Sequence, residues 1–288
     1  MATSSQNINV NVNVNANTGR LRPTHDRKTA GYPGQKNTFG LMHGLPPYGT
    51  CPGCTIGEGG CAYVLPGRKT STCYVDKLAR AYPSVKKNLA WNTQLLKQAG
   101  SLDSMVDILN AEFDRFAELE KTGGADGRAA SMNYRLHWAG DVFSVEYAEA
   151  LSKSMSLHPD IQFWGYTRTF DPCVVGPLLR CENMILYLSL DPVNLTSGIE
   201  AYNDLCGFDS PRLKLCYMHA INDLADRLKA LRDEEELRTG KEYPWMSEIN
   251  VVSCPVDTGA MKLEGACVKC KQCLTWSKDS KSAVWFKT

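Results

Sequence analysis

The stretch IQFWGYTRTFDPCVVGPLLRCENMILYLSLDP, residues 161–192, determines the fold prediction. Its two ends, IQFWGYTRT and MILYLSLDP, are short apolar runs that predict buried strands, and VVGPLLRCEN between them predicts a short helix. A strand, a helix and a second strand in this order are typical of a right-handed crossover unit with two parallel strands. The stretch therefore predicts part of a parallel sheet.

The same alternation continues on both sides of this unit. Upstream of it, residues 75–100 predict a helix that is bent or restarted near Pro83, and residues 101–124 predict a second helix with Ser101 as N-cap and Gly123 and Gly124 as its stop. NTFGLMHG (37–44) is a short candidate first strand. The remaining predictions are strands in 132–141, 212–218 and 248–255, and helices in 144–160, 197–206 and 221–241.

Polar residues and glycines gather where the predicted strands end, in the motifs GD, TRT, SLDP and SCPVD. Barrels of alternating strands and helices carry their sites on that rim. An open doubly wound sheet follows a similar rule, and the sequence favours the barrel. We therefore predict an α/β fold with a partial (β/α) barrel, a cysteine-rich cluster loop and a C-terminal metal-binding segment.

Length and composition limit the function classes. The chain has 288 residues, enough for one large α/β domain or two small ones, and its net charge of +1 argues against a large, purely electrostatic nucleic-acid surface. No apolar run approaches the roughly 18 residues that a membrane-spanning helix needs. The amino terminus lacks the pattern of a signal peptide, so we expect a reducing, cytoplasmic location and no membrane partner.

Three regions are predicted along the chain. Residues 1–36 are an Asn-rich tail that we expect to be disordered, because alternating Asn is a poor strand former. Residues 37–253 form the partial barrel and include the cysteine loop 51–73. Residues 254–288 form a C-terminal metal-binding segment with four cysteines.

Twelve cysteines are many for a reducing compartment, where thiols rarely form structural disulfides. Eight of them fall into two groups, and the other four are predicted to be small core hydrophobes. Group one is Cys51, Cys54, Cys61 and Cys73; group two is Cys254, Cys267, Cys270 and Cys273; the scattered four are Cys173, Cys181, Cys206 and Cys216.

Group one has the spacing C-x2-C-x6-C-x11-C within a glycine-rich loop. A cluster used for chemistry needs one iron that no cysteine holds, so three cysteines are sufficient. Cys54, Cys61 and Cys73 are one such trio, with Cys51 as an alternate or fourth ligand. A four-thiolate zinc loop that only fastens a long connection is an equal alternative.

Group two has the spacing C-x12-C-x2-C-x2-C. Three closely spaced cysteines with a distant fourth resemble the spacing that binds a 4Fe–4S cluster. Zinc is the alternative metal, and thiols without metal are the third interpretation. The sequence therefore predicts one or two 4Fe–4S clusters, with zinc as an alternative at the C-terminal group.

The strand ends supply the other candidate site residues. Asp141 follows one predicted strand, Arg168 another, and Ser189 and Asp191 a third. A carboxylate at the carboxyl end of a barrel strand is often functional, and an arginine fork binds carboxylate or phosphate groups. His137 is predicted to be a satisfied core histidine on the same strand face as Arg135.

The sequence CYV, directly before a predicted helix and after several cysteines, resembles the cluster loop of radical S-adenosylmethionine (SAM) enzymes. HWAGDVFS stands where that family has a Gly–Glu motif, with Gly140 and Asp141 in its place. The resemblance implies a three-cysteine cluster whose fourth iron binds SAM, with Asp141 and Arg168 as catalytic residues and Asp141, Ser189 and Asp191 at the cofactor. The family's C-x3-C-x2-C spacing is absent, and Asp141 replaces its glutamate.

A closer resemblance, over residues 38–276, is to a phage family called gene product 88. It depends on the ordered motifs TCPGC, GCAYV, CYV, RLHWAGDVFS, FWGYTRT, LYLSLDP, CPVD and GACVKCKQC. It implies a bacteriophage origin and the host cytoplasm, and it brings no established activity. The leading hypothesis is a radical-SAM-like enzyme acting on nucleic acid or a small molecule; its rival is a non-catalytic, metal-stapled module that binds nucleic acid or a host protein.

Overall fold

The computed structural model describes residues 19–69, 71–122, 131–205, 210, 212–218, 224–240, 242, 250–271, 273 and 282–286. The helices are α1 (Tyr74–Ala81), α2 (Pro83–Lys97), α3 (Leu102–Lys121), α4 (Val145–Ser156), α5 (Pro172–Leu179), α6 (Leu195–Asp204), α7 (Leu224–Thr239) and α8 (Ala266–Cys270). The strands are β1 (Asn133–Leu136), β2 (Gln162–Thr167), β3 (Met184–Leu190), β4 (Leu213–Met218), β5 (Asn250–Ser253) and β6 (Ser282–Phe286).

The helix boundaries follow the local sequence signals. Pro83 separates α1 from α2 and occupies the first turn of α2, where its missing N–H is not needed. The Ser101 hydroxyl accepts a hydrogen bond from the Ser104 backbone N–H and caps α3. The predicted break near Pro83 and the predicted cap at Ser101 are both confirmed.

The six strands form one parallel sheet in the order β1-β2-β3-β4-β6-β5. The mixed α/β class and the parallel sheet are therefore confirmed. The prediction that the strand in 248–255 is the last one was wrong, because β6 follows it in the chain and lies between β4 and β5. Among the described strands no pairing closes the sheet, and closure into a barrel stays a prediction.

The two faces of the sheet differ. On one face Tyr134, Phe163 and Leu186 belong to the large core that includes residues of α3, α4, α5 and α6. The other face, called the inner face below, carries Trp164 and Tyr187, which pack with Cys216, Cys254 and Cys273. Group two therefore packs against the sheet face opposite the helices.

A short segment before the cysteine loop extends the sheet beyond β1. The backbone N–H groups of Arg135 and Trp138 donate to the carbonyls of Asn37 and Phe39, and Thr38 bridges Arg135 in parallel. This segment corresponds to the candidate first strand in 37–44. It delivers the chain directly to group one.

Residues 19–36 belong to the predicted tail, but in the structure they pack on the domain. Leu21 is buried, Thr29 has no exposed surface, and the Arg22 backbone N–H donates to the Asn92 side-chain oxygen at 2.8 Å. The alternating Asn segment proper, within residues 1–18, lies outside the described residues.

The scattered cysteines that the structure describes differ in burial. Cys181 and Cys216 are buried, as predicted. Cys173 is exposed in the first turn of α5, so its assignment to the core was wrong. Cys206 lies outside the described residues.

Within the part of the chain that the structure describes, no helix is long and apolar enough to cross a membrane.

Candidate functional site

The cysteine loop lies against the carboxyl edge of the sheet. Because the strands are parallel, the residues that follow β1, β2 and β3 meet at the same edge. Gly53 contacts the backbone of Arg168, which follows β2, and Gly59 contacts Pro192, which follows β3. The loop therefore places group one beside Arg168 and Asp191.

Arg168 and Asp191 form a buried ion pair at this edge. The Arg168 guanidinium donates to the Asp191 carboxylate and to the Thr55 hydroxyl, the latter at 3.0 Å. The Thr55 hydroxyl in turn donates to Asp191 at 2.6 Å. The Asp191 side chain has no exposed surface and that of Arg168 is 10% exposed, so the pair holds the cysteine loop to β2 and β3 away from water.

Cys61 is the thiol of group one closest to this network. Its sulfur lies 3.4 Å from that of Cys54, and the Thr55 backbone N–H donates to it at 3.3 Å. The hydrogen bond between the Cys54 and Cys61 thiols and the nearby Arg168 guanidinium lower the pKa of Cys61, against the effect of burial. The same hydrogen bond raises the pKa of Cys54. The site thus favours a thiolate at Cys61.

The other two thiols of group one are neighbours of this pair. The Cys51 thiol interacts electrostatically with Cys61 and Cys73, and the Cys73 thiol interacts with Cys61. Burial is the main reason why the pKa values of both Cys51 and Cys73 are raised. All four are free thiols. Because they interact with one another, the structure brings together the whole predicted group.

Asp141 lies in the loop that follows β1 and does not face open space. Its carboxylate accepts hydrogen bonds of 2.7 Å from the Thr167 hydroxyl and from the backbone N–H groups of Val142 and Arg168. The residue is only 4% exposed. Asp141 therefore fixes the backbone of Arg168, and its predicted contact with a cofactor stays a prediction.

The pKa of Asp141 predicts a pH dependence of stability. Burial raises that pKa to about 6, against an unfolded value of 3.8. Since the folded protein keeps the proton to higher pH, this contribution to stability is complete below about pH 4 and is lost as pH rises through 6. We expect wild type to lose about 3 kcal/mol over this interval relative to Asp141→Asn. Urea unfolding of both proteins from pH 4 to 7 measures the difference; parallel curves would contradict it.

His137 and Ser189 are placed differently from each other. His137 is buried, and its Nε2 lies 2.7 Å from the Tyr147 hydroxyl of α4, so it is a satisfied core histidine as predicted. Its predicted position on the face of Arg135 was wrong, because its φ of 51° ends the alternation of β1. The Ser189 hydroxyl lies 3.2 Å from the Met218 sulfur, beside Cys216.

Gly53 is a position where the cysteine loop tolerates no side chain. A Cβ there would lie 1.7 Å from the Arg168 carbonyl oxygen. We expect Gly53→Ala to cost about 3 kcal/mol in unfolding free energy and to displace group one from Arg168. Gly67→Ala is the matched control, because its φ of 76° costs about 1 kcal/mol but its Cβ meets nothing within 4 Å. Urea unfolding compares the two, and equal losses would refute this packing.

Group two gathers around the short helix α8. Cys267 and Cys270 lie on α8, and the residue after the helix, Lys271, has a left-handed φ of 58° that turns the chain towards Cys273. The Cys273 thiol interacts electrostatically with Cys254, Cys267 and Cys270. Burial raises the pKa of Cys267 to about 12 and that of Cys273 to about 11. Thiolates here need a cation to stabilise them.

The surroundings of group two come from the sheet and from the amino-terminal segment. The Tyr166 hydroxyl of β2 donates to the Cys273 sulfur at 3.7 Å. The backbone N–H of Cys267 donates to the Lys28 carbonyl, and Lys28 also pairs with Asp257 at 3.3 Å. Asp257 is therefore held by Lys28, and the segment around residue 28 fastens the group to the domain.

In the described residues, neither cysteine group has its side chains arranged as a complete set of metal ligands. Within them, no set of three or more His, Cys, Asp or Glu side chains is arranged to hold a metal ion. The structure therefore brings the predicted cysteines into two neighbourhoods, while their metal ligation stays a prediction.

The sequence comparisons identify the family. The profile of the family described as Gene product 88 matches residues 12–274. This chain belongs to the gene product 88 family. The chain is 33% identical over 181 residues to the Gene 88 protein of Mycobacterium phage L5, covering 61% of this chain and 70% of that protein. It is 30% identical over 180 residues to the Gene 88 protein of Mycobacterium phage D29, covering 61% and 69%.

The gene product 88 match bears out the predicted phage-family resemblance, and no solved structure matches the chain. Sequence reasoning missed two contributors to the site of this family member. The Thr55 hydroxyl, directly after the C-x2-C motif, accepts a hydrogen bond from the Cys61 backbone N–H and donates one to Asp191. The signal for this role in the sequence is a hydroxyl residue inside a tight turn. Tyr166 contacts Cys273, and a tyrosine in a buried strand needs such a partner.

Proposed function

We propose that this protein is an iron–sulfur protein of phage type with two cysteine-held centres. Cys54, Cys61 and Cys73 would hold a 4Fe–4S cluster at the carboxyl edge of the sheet, and group two would hold a second centre on the inner face. The observation that carries the proposal is the gathering of eight free thiols into two groups, none of them joined to another by a disulfide. The family membership supports a phage origin and a location in the host cytoplasm.

The leading activity is a radical-SAM-like reaction in a partial barrel, which rests on the sequence resemblance. A bound three-cysteine cluster would provide the electron for SAM chemistry, and the protein's own residues would position the reactants. Arg168 would neutralise charge beside Cys61, since its guanidinium already stabilises that thiolate. Asp141 would act as a positioning residue through the Arg168 backbone. Ser189, on the inner face near Met218, would contact the cofactor.

A second candidate is a non-catalytic zinc module. Two thiolates on one tetrahedral zinc, with Zn–S bonds of about 2.3 Å, lie about 3.8 Å apart. The 3.4 Å separation of Cys54 and Cys61 is close to this value. In that case all four thiols of group one are ligands, and the loop only fastens β2 and β3 to the surface that binds a partner.

Metal analysis of anaerobically purified protein distinguishes the candidates. The iron–sulfur proposal expects iron and acid-labile sulfide in equal amounts and a brown protein. Zinc without iron would end that proposal and support the second candidate. Absence of both metals would contradict the two together.

Substitution of single cysteines tests for an open coordination position. We expect Cys51→Ala to keep the group-one cluster and Cys61→Ala to lose it, because only three thiolates are needed. Cys173→Ala is the control, since Cys173 is exposed on α5 and outside both groups. Iron per chain and the visible spectrum report the result. Equal metal loss in the Cys51 and Cys61 variants would mean four-cysteine ligation and would remove the open position.

A further inference from the structure

We propose that the surface formed by the end of the cysteine loop, α1 and the start of α2 binds single-stranded nucleic acid. This basic–aromatic surface consists of Arg68, Lys69, Tyr74, Lys77, Tyr82 and Lys87, all of them exposed. As a substrate-binding surface it rests on the proposed function, whereas binding itself does not depend on the metal.

Positive charge is concentrated in the segment that forms this surface. Residues 66–91 contain six Lys or Arg and one Asp, while the rest of the chain contains 26 basic and 30 acidic residues. The net charge of +1 for the whole chain therefore conceals a basic segment beside group one. The single acid, Asp76, pairs with Arg80 at 2.9 Å and leaves the other basic side chains available to a polyanion.

Two exposed aromatic rings lie among these charges. Tyr74 is 45% exposed and Tyr82 is 56% exposed. The Tyr74 hydroxyl donates to the Trp138 carbonyl, which fixes the ring with part of its surface in water. Aromatic rings beside basic side chains are the means by which proteins bind single strands, through base stacking and phosphate contacts.

These two features together favour a single strand over other anions. Bases in a duplex are stacked on each other, so their faces are not available to Tyr74 and Tyr82. An acidic peptide or an anionic membrane would match the lysines but would leave the rings without stacking partners. Tyr74 also directly follows Cys73 of group one, so a bound strand would pass beside the proposed cluster.

Fluorescence anisotropy with a labelled oligothymidylate of about 16 nucleotides tests the surface. With four phosphate contacts the logarithm of the binding constant should fall with the logarithm of salt concentration with a slope of about −3. Removing the four charges should bring the slope near zero and weaken low-salt binding by about 100-fold. That variant is Arg68→Gln, Lys69→Gln, Lys77→Gln and Lys87→Gln.

The matched control removes four exposed charges from α3, α4, α7 and the C-terminal end of α5, away from this surface. It should keep both the affinity and the slope of wild type. Its substitutions are Lys121→Gln, Lys153→Gln, Arg180→Gln and Lys229→Gln. Equal weakening in both variants would overturn the proposal, because the effect would then follow total charge.

Tyr82 tests the stacking contribution. We expect Tyr82→Ala to weaken oligonucleotide binding about tenfold and Tyr82→Phe to leave it unchanged, because stacking needs the ring alone. Equal affinities for duplex and single strand, or binding to anionic vesicles without binding to the oligonucleotide, would overturn the proposal.

Metal content of each preparation separates the two proposals. Protein that holds its metal but binds no oligonucleotide at low salt refutes the surface and leaves the proposed function intact. Protein without metal that still binds with the expected slope supports the surface and refutes the metal centres.

Discussion

We expect Arg168→Met to lower the free energy of unfolding by about 3–5 kcal/mol, because it leaves the Asp191 carboxylate buried without its cation. The Asp191 side chain has no exposed surface, and its other partners in the described residues are neutral donors. Water cannot replace the guanidinium there. Urea unfolding at neutral pH measures the loss, which should be accompanied by release of any metal bound to group one.

Two comparisons make this expectation specific. Arg180→Met removes an exposed pair with Glu149 and should cost less than about 1 kcal/mol. The double variant Arg168→Met, Asp191→Asn should lose less than the two single changes together, since no buried charge remains unpaired. Additive losses would contradict the ion-pair explanation.

The second large effect is expected at group two. The double variant Cys254→Ser, Cys273→Ser should lose the C-terminal centre and the order of residues 254–271, because structural thiolate sites contribute on the order of 10 kcal/mol to folding. Cys254 joins the end of β5 to the group, and Cys273 contacts Tyr166 of β2. Limited proteolysis and metal content report the loss.

Cys173→Ser serves as the control for this variant. It removes one thiol from an exposed position outside both groups and should change neither protease resistance nor metal content. A group-two double variant that stays as resistant as this control would show that the order of the segment depends neither on these thiols nor on a metal bound to them.

The parallel sheet was predictable because β2 and β3 are apolar runs with polar residues at their ends and a helical segment between them. The position of β6 was not, since SAVWF is a run of only five residues. Its insertion between β4 and β5 depends on pairing between strands that are distant in the chain, which local periodicity does not contain. His137 shows the other limit: one left-handed residue ended the alternation that fixed its predicted face.

The grouping of the cysteines was predictable from their spacing, because short spacings force the thiols into one neighbourhood. The strand ends were also identified, but the partners of their side chains were not. Asp141 was assigned to a cofactor, yet it bonds Thr167 and the backbone of Arg168. A carboxylate that follows a buried strand can serve the backbone of its neighbour, and only three-dimensional contacts distinguish the two roles.

X-ray absorption at the iron and zinc edges of anaerobically purified protein tests the central claim most directly, namely that each cysteine group shares one inorganic centre. We expect a first shell of sulfur, with a second shell of neighbouring iron atoms for clusters and a single sulfur shell at about 2.3 Å for zinc. A metal shell made only of oxygen and nitrogen, or no bound metal at all, would contradict it.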